Sequence, residues 1–229
     1  MSTIRGSHEV RWTVPYRIDG AAEDPEAPLV LCLHGMGMDE DFFAELLEGL
    51  FALRARFLIP RAPHPVEVRR EQRIGASWYA YDGDQERFRE ELGRTETFVL
   101  GLLDAAEHEH GLRPRARVLL GFSQGGYCGS YIALRHPERF GGLVVSGARV
   151  KTEFLANELR VAASRGFSVL LCHGERDASV APEAAERGRA ELAAAGVGVE
   201  LRSFDAGHSV GRAQVRVIGA WLRRQLDLA

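Results

Sequence analysis

Four apolar runs of strand length, "PLVLCLHG", "RVLLGF", "GLVVSG" and "FSVLLCHG", recur along the chain with longer stretches of helical periodicity between them. Nothing else in the sequence constrains the fold as strongly. Runs this short and this continuously apolar read as strands buried on both faces, and helices between them supply the two covering layers. The prediction is an α/β fold with a mostly parallel central sheet, helices on both faces and no large cap domain, forming one domain over residues 1–229. Helices are expected over about 40–53, 86–110, 152–165, 182–195 and 211–226, with another opening after Gly125 and stopping near His136–Pro137. "RFLIP" and "VELRSFD" add two more strands. At the start of the chain, Val10, Trp12, Val14, Tyr16 and Ile18 alternate strictly, which predicts a half-exposed antiparallel opening strand. The segment 61–83 has poor periodicity and carries Pro63, Pro65, Gly75 and Gly83, so it reads as a long loop.

Several function classes drop out on composition. A net charge of −3 leaves no basic footprint for nucleic acid or an anionic membrane. No apolar run approaches the roughly 18 residues a spanning helix needs, and the first residues lack the apolar core of a signal peptide. Cys32, Cys128 and Cys172 show no C-x-x-C spacing and read as reduced core thiols, which favours a cytoplasmic location. No histidine or cysteine cluster has metal-ligand spacing, and no glycine-rich dinucleotide or phosphate loop is present, so neither a metal nor an organic cofactor is expected. The sequence does not fix the oligomeric state and leaves a homodimer open.

The chemistry concentrates on "GFSQGG". Ser123 falls where "RVLLGF" ends and a helix begins, with Gly121 and Gly125 two residues to either side. A nucleophilic serine lifted above a sheet on a strained turn needs small neighbours at those positions. A tight strand-to-helix turn in which Ser123 only caps the helix is the plainer alternative, but such a turn needs no partners downstream. Partners are present at later strand ends, Asp177 in "HGERDASV" and His208 in "DAGHSV". Serine is a poor nucleophile at neutral pH, imidazole can act as its base, and a carboxylate on the other ring nitrogen holds the tautomer. Asp205 competes with Asp177 but would have to act from the histidine's own loop, so Asp177 is preferred. Upstream, "LHGMG" ends a strand where a second oxyanion donor belongs, so the backbone N–H groups of Met36 and Gln124 are the expected pair.

These segments, with "PRAPHPV" and "SWYAYD", follow one another in an order that resembles the phospholipase/carboxylesterase family of α/β-hydrolases over about residues 28–210. The resemblance implies an α/β-hydrolase fold with Ser123 as nucleophile, Asp177 as orienting acid, His208 as base, and Met36 and Gln124 as oxyanion donors. It also puts Trp78 and Tyr79 at the substrate pocket, with plain core packing as the competing reading of each. Met36 and Met38, Ala181 and the arginines of 61–83 (Arg61, Arg69, Arg70 and Arg73) depart from the family pattern. These departures leave the catalytic residues intact and bear on the substrate.

The activity implied is a carboxylesterase acting on small ester substrates through an acyl-enzyme. Lysophospholipids and acyl thioesters are the rival substrates. A non-catalytic ligand-binding protein on the same scaffold is the reading from a different class. Only about 20 residues separate "GLVVSG" from "FSVLLCHG", room for one helix and no lid.

Overall fold

The computed structural model describes residues 3, 4, 6, 8, 11, 13–20 and 23–228. Among the described residues seven strands form the main sheet: β1 (Tyr16–Asp19), β2 (Leu29–Leu33), β3 (Arg56–Pro60), β6 (Arg117–Phe122), β7 (Gly142–Ser146), β8 (Ser168–Gly174) and β9 (Gly198–Phe204). Their order is β1-β3-β2-β6-β7-β8-β9, with β1 antiparallel to β3 and every other pairing parallel. The expected opening strand is therefore present and half-buried from Tyr16; its earlier positions Val10 and Trp12 lie outside the described residues.

Two cores explain the apolar runs. Along β2, β6, β7 and β8, Leu31, Leu33, Leu119, Val145 and Leu171 face one side. They pack there beneath α2 (Gln85–Glu109), α3 (Gln124–Arg135), α4 (Ala156–Ser164) and α5 (Glu183–Ala194). Val30, Cys32, Leu120, Val144, Leu170 and Cys172 face the other, beneath α1 (Glu40–Leu47) and α6 (Arg212–Gln225). A strand buried on both faces cannot alternate polar and apolar residues, and these do not. Fully burying one such Leu or Val side chain is worth about 1.5–3 kcal/mol. Cys32, Cys128 and Cys172 are all unpaired and buried, and burial pushes each thiol pKa up, that of Cys172 to about 12.

Helix boundaries depart from expectation in two places. α1 stops at Leu47 and tightens into a single 3₁₀ turn over 48–50, instead of running to 53. α4 starts at Ala156, not near 152, because Phe154 takes a left-handed φ of 68° that no helix can contain. Between β7 and β8 there is only α4, and no cap. No helix among the described residues is long and apolar enough to cross a membrane.

The largest correction concerns 61–83. Its middle is an antiparallel hairpin, β4 (His64–Val68) with β5 (Arg73–Ser77), lying apart from the main sheet. Gln72, left-handed at φ 51°, makes the turn. Pro65 pairs with Ala76 near the hairpin's open end, a two-stranded setting that tolerates a missing N–H.

Candidate active site

Register places the site. Leu33, Gly121 and Val145 lie side by side, as do Phe122, Ser146 and Cys172, so the turns after β2, β6, β7 and β8 emerge along one carboxyl edge. Open parallel sheets present their ligand sites at this edge.

Ser123 follows β6 directly, as the residue before α3, in a strained conformation, φ 52° and ψ −119°, and its N–H donates to Ser146 O at 2.9 Å. The flanking glycines are sterically required. A Cβ on Gly121 would lie 2.3 Å from Gly125 O, and one on Gly125 would lie 2.1 Å from Leu33 O. Strand and helix thus approach backbone to backbone, and the serine is held in a shape it would otherwise leave.

His208 Nε2 lies 2.8 Å from Ser123 Oγ, and His208 Nδ1 lies 2.7 Å from Asp177 Oδ2. The ring is held between Phe122, centroids 5.0 Å apart, and Gly147, where a Cβ would come within 3.5 Å of it. Its loop is pinned at Gly174, whose Cβ would sit 2.4 Å from Gly207 O. Asp177 is buried, and Oδ1 accepts from the N–H groups of Ser179 and Val180, both at 2.9 Å. Burial alone would raise its carboxyl pKa. The bonds from His208, Val180 and Ser179 outweigh that and hold it below the usual carboxylate range. Asp177 therefore stays ionised, Nδ1–H of His208 donates to it, and Nε2 is left to accept from the serine hydroxyl. Asp205, the competing carboxylate, is exposed and pairs with Arg176 at 2.9 Å.

Met36 lies in the turn after β2, and Gln124 is the first residue of α3. Neither backbone N–H has a protein acceptor among the described residues. The hairpin braces the Met36 turn. Gly37 N–H donates to Ala76 O, Ala76 N–H to Met38 O, both at 2.8 Å, and Arg73 Nη1 to Gly37 O at 2.6 Å. Gly75 lies so close that a Cβ on it would be 1.9 Å from Gly37 O.

His34 joins these parts. Its ring Nδ1–H donates to Gly35 O at 2.8 Å, Nε2 accepts from Ala62 N–H at 3.0 Å, and its carbonyl accepts from Trp78 Nε1–H at 2.8 Å. Burial lowers its pKa to about 4, helped by the charge of Arg61 and opposed by the Gly35 bond and Asp39. The ring is neutral and structural.

Trp78 requires a correction. It is fully buried against His34 and does not line the cleft beside Ser123, whereas Tyr79, the next residue, does. That cleft encloses about 400 Å³. The sequence reading also missed Tyr127 and Arg149 in its walls and the side-chain role of Gln124. Gln124 Oε1 accepts from Trp78 N–H at 2.9 Å and Nε2–H donates to Tyr79 O at 3.1 Å, clamping the segment that follows the hairpin. Tyr127 was findable, four residues past Ser123 and so on the same helix face. Three of the hairpin-region arginines are paired with carboxylates, Arg61 with Glu40, Arg69 with Glu67 and Arg73 with Glu71.

A parallel sheet with one antiparallel edge strand, helices on both faces and a serine on the strained turn at its centre defines an α/β-hydrolase. The sequence pattern of the phospholipase/carboxylesterase family matches residues 20–226, and the chain belongs to that family. Carboxylesterase SOBER1 of Arabidopsis thaliana is 27% identical over 212 residues, 86% of this chain and 90% of that one. Among solved structures, a Bacillus cereus carboxylesterase superimposes with a TM-score of 0.73 at 20% identity, over 93% of this chain and 94% of that one. A Zea mays acyl-protein thioesterase 2 gives the same TM-score and identity over 93% and 99%. At these identities the two structures speak for the fold.

Proposed function

We propose that this protein is a serine esterase that hydrolyses carboxylic esters through an acyl-enzyme. The observation that carries the reading is the relay from Ser123 Oγ through His208 to the buried, ionised Asp177, at 2.8 and 2.7 Å. Family membership and relatives named as carboxylesterases and an acyl-protein thioesterase support the same reaction class.

Ser123 Oγ attacks the ester carbonyl while Nε2 of His208 takes its proton. Charge developing on the carbonyl oxygen meets the N–H groups of Met36 and Gln124, the second reinforced by the positive end of α3. The tetrahedral adduct collapses as His208 returns that proton to the departing alcohol, leaving the acyl group on Ser123. Water then enters, gives its proton to Nε2, and attacks the acyl carbon. Collapse restores the serine hydroxyl and frees the acid.

A fluorophosphonate probe tests the reading, because it phosphonylates only an activated serine. Wild type should label and should hydrolyse 4-nitrophenyl valerate. Ser123→Ala should do neither, with kcat down by on the order of 10⁶. Failure of folded wild type to label beside a known serine hydrolase would sink the proposal.

A further inference from the structure

We propose that Arg149 selects esters that carry a carboxylate in the part of the substrate lying in the cleft beside Ser123. The inference rests on the esterase reading and adds the substrate class. Among the described residues lining that cleft, which include Tyr79, Tyr81, Tyr127 and Val180, Arg149 is the only one with a charged side chain. The rest of the wall is neutral and mostly apolar, so it suits the acyl or aryl body of an ester, and one cation stands within it. A carboxylate entering it meets one fixed guanidinium and no acidic lining residue.

The placement of Arg149 follows from the backbone. β7 ends at Ser146, Gly147 turns with φ 57°, and Ala148 packs against Gly126 in the first turn of α3. The next side chain emerges at the carboxyl edge, over the cleft. Three contacts hold its guanidinium. Nη1 pairs with Glu153, Nη2–H donates to Tyr127 Oη at 3.0 Å, and the group lies 5.1 Å from the centroid of the Tyr127 ring. An arginine has five N–H donors, so most of the fork stays free for a ligand. It is also ordered in advance, which lowers the entropic cost of binding.

Charge bookkeeping favours an anion. Glu153 is shared between Arg149 and Lys151, whose Nζ lies 3.2 Å away, so two cations face one carboxylate. Lys151 is buried and is the only lysine in the chain. Lys151 and Glu153 line a separate pocket and not this cleft, and because Glu153 is shared, the charge that Arg149 presents to the cleft is only partly offset. The arginines Arg61, Arg69 and Arg73, by contrast, each meet a carboxylate on the hairpin or α1.

The test compares kcat/KM within two pairs of esters of matched shape. 4-Nitrophenyl hemiglutarate against 4-nitrophenyl valerate puts the charge on the acyl side. The butyrate ester of 4-hydroxybenzoate against that of 4-hydroxybenzamide puts it on the alcohol side. In Arg149→Met the preference for the charged member of one pair should fall by about tenfold or more, as expected for a lost charge-assisted contact. Glu153→Gln should raise the same preference by freeing the guanidinium. A binding arm needs no turnover: calorimetry of N-phenylglutaramate on Ser123→Ala should weaken about tenfold when Arg149→Met is added, and that of N-phenylvaleramide should not. Unchanged ratios in both pairs would overturn the proposal, and so would equal affinities in the binding arm if the acyl pair is the one that responds. Absence of hydrolysis and of fluorophosphonate labelling would instead count against the esterase reading, with Arg149 judged on binding.

Discussion

The sheet edge that carries Ser123 and the β4–β5 hairpin meet at one cleft but are held by different forces. At the sheet edge, strands buried on both faces end in turns whose backbones touch at Gly121, Gly125 and Gly174, so packing fixes Ser123, His208 and Asp177. The hairpin is buried only along the end of β5, from Gly75 to Ser77. β4 is exposed or half-buried throughout, and Ile74 is 63% exposed. A few hydrogen bonds latch it: Ala76 and Arg73 bond to the Met36 turn, and the N–H of Ala62, just ahead of β4, donates to the ring of His34. One expected oxyanion donor thus belongs to the rigid part and the other to the latched part. Under the proposed mechanism, a site built this way can keep its nucleophile while losing half of its anion stabilisation.

The largest expected effect lies on the rigid side. Asp177→Asn should lower kcat by on the order of 10⁴ with folding intact, because the histidine loses its tautomer. Asp205→Asn should leave turnover of the same 4-nitrophenyl ester near wild type. If the two variants exchanged behaviour, the carboxylate assignment would be wrong. On the latched side, Gly75→Ala pushes a Cβ against Gly37 O and should displace Met36 N–H. Removing one oxyanion donor costs about 10²–10³ in kcat. Gly93→Ala, with open space around it, is the control. A Gly75→Ala enzyme with normal kcat would mean the hairpin does not position the donor.

The smallest effect is on stability and comes from His34, at the joint between the two regions. Its ordinary pKa of 6.5 falls to about 4 in the folded protein, so the unfolded chain binds the extra proton first as pH drops. The contribution is complete above pH 6.5, is lost progressively as pH falls, and is gone below about pH 4. Its full size is about 3 kcal/mol. Urea unfolding of wild type and His34→Gln at pH 7 and pH 4.5 should show the gap between them shrinking by most of that amount. A gap that stays constant would remove His34 from the acid sensitivity.

The same division governs what could be read from the sequence. Packing-driven features were legible. "LVLCL" and "GLVVS" need two covered faces, and Gly121-x-Ser123-x-Gly125 needs a strand meeting a helix. "ERDAS" and "DAGHS" follow strand ends, and the structure brings their Asp177 and His208 to Ser123. The hairpin was not legible. Its turn uses Gln72 in a left-handed conformation with no Asn-Gly or Asp-Gly signal, and Gly75 is needed by a backbone 38 positions upstream. Trp78 was misplaced because neighbours along an extended chain point to opposite sides, so Trp78 turns inward where Tyr79 meets the cleft. Arg149 had no local mark at all. Only the turn at Gly147 brings it to the site.

The three cysteines have a practical consequence. Each thiol is walled off from solvent and kept protonated, so thiol-directed reagents can modify only molecules that have opened. Labelling rate becomes a clock for opening that needs no engineered probe. Cys32 and Cys172 lie in the layer beneath α1 and α6, and Cys128 lies in the layer on the other side of the sheet. The order in which the three react would show which side of the sheet comes apart first.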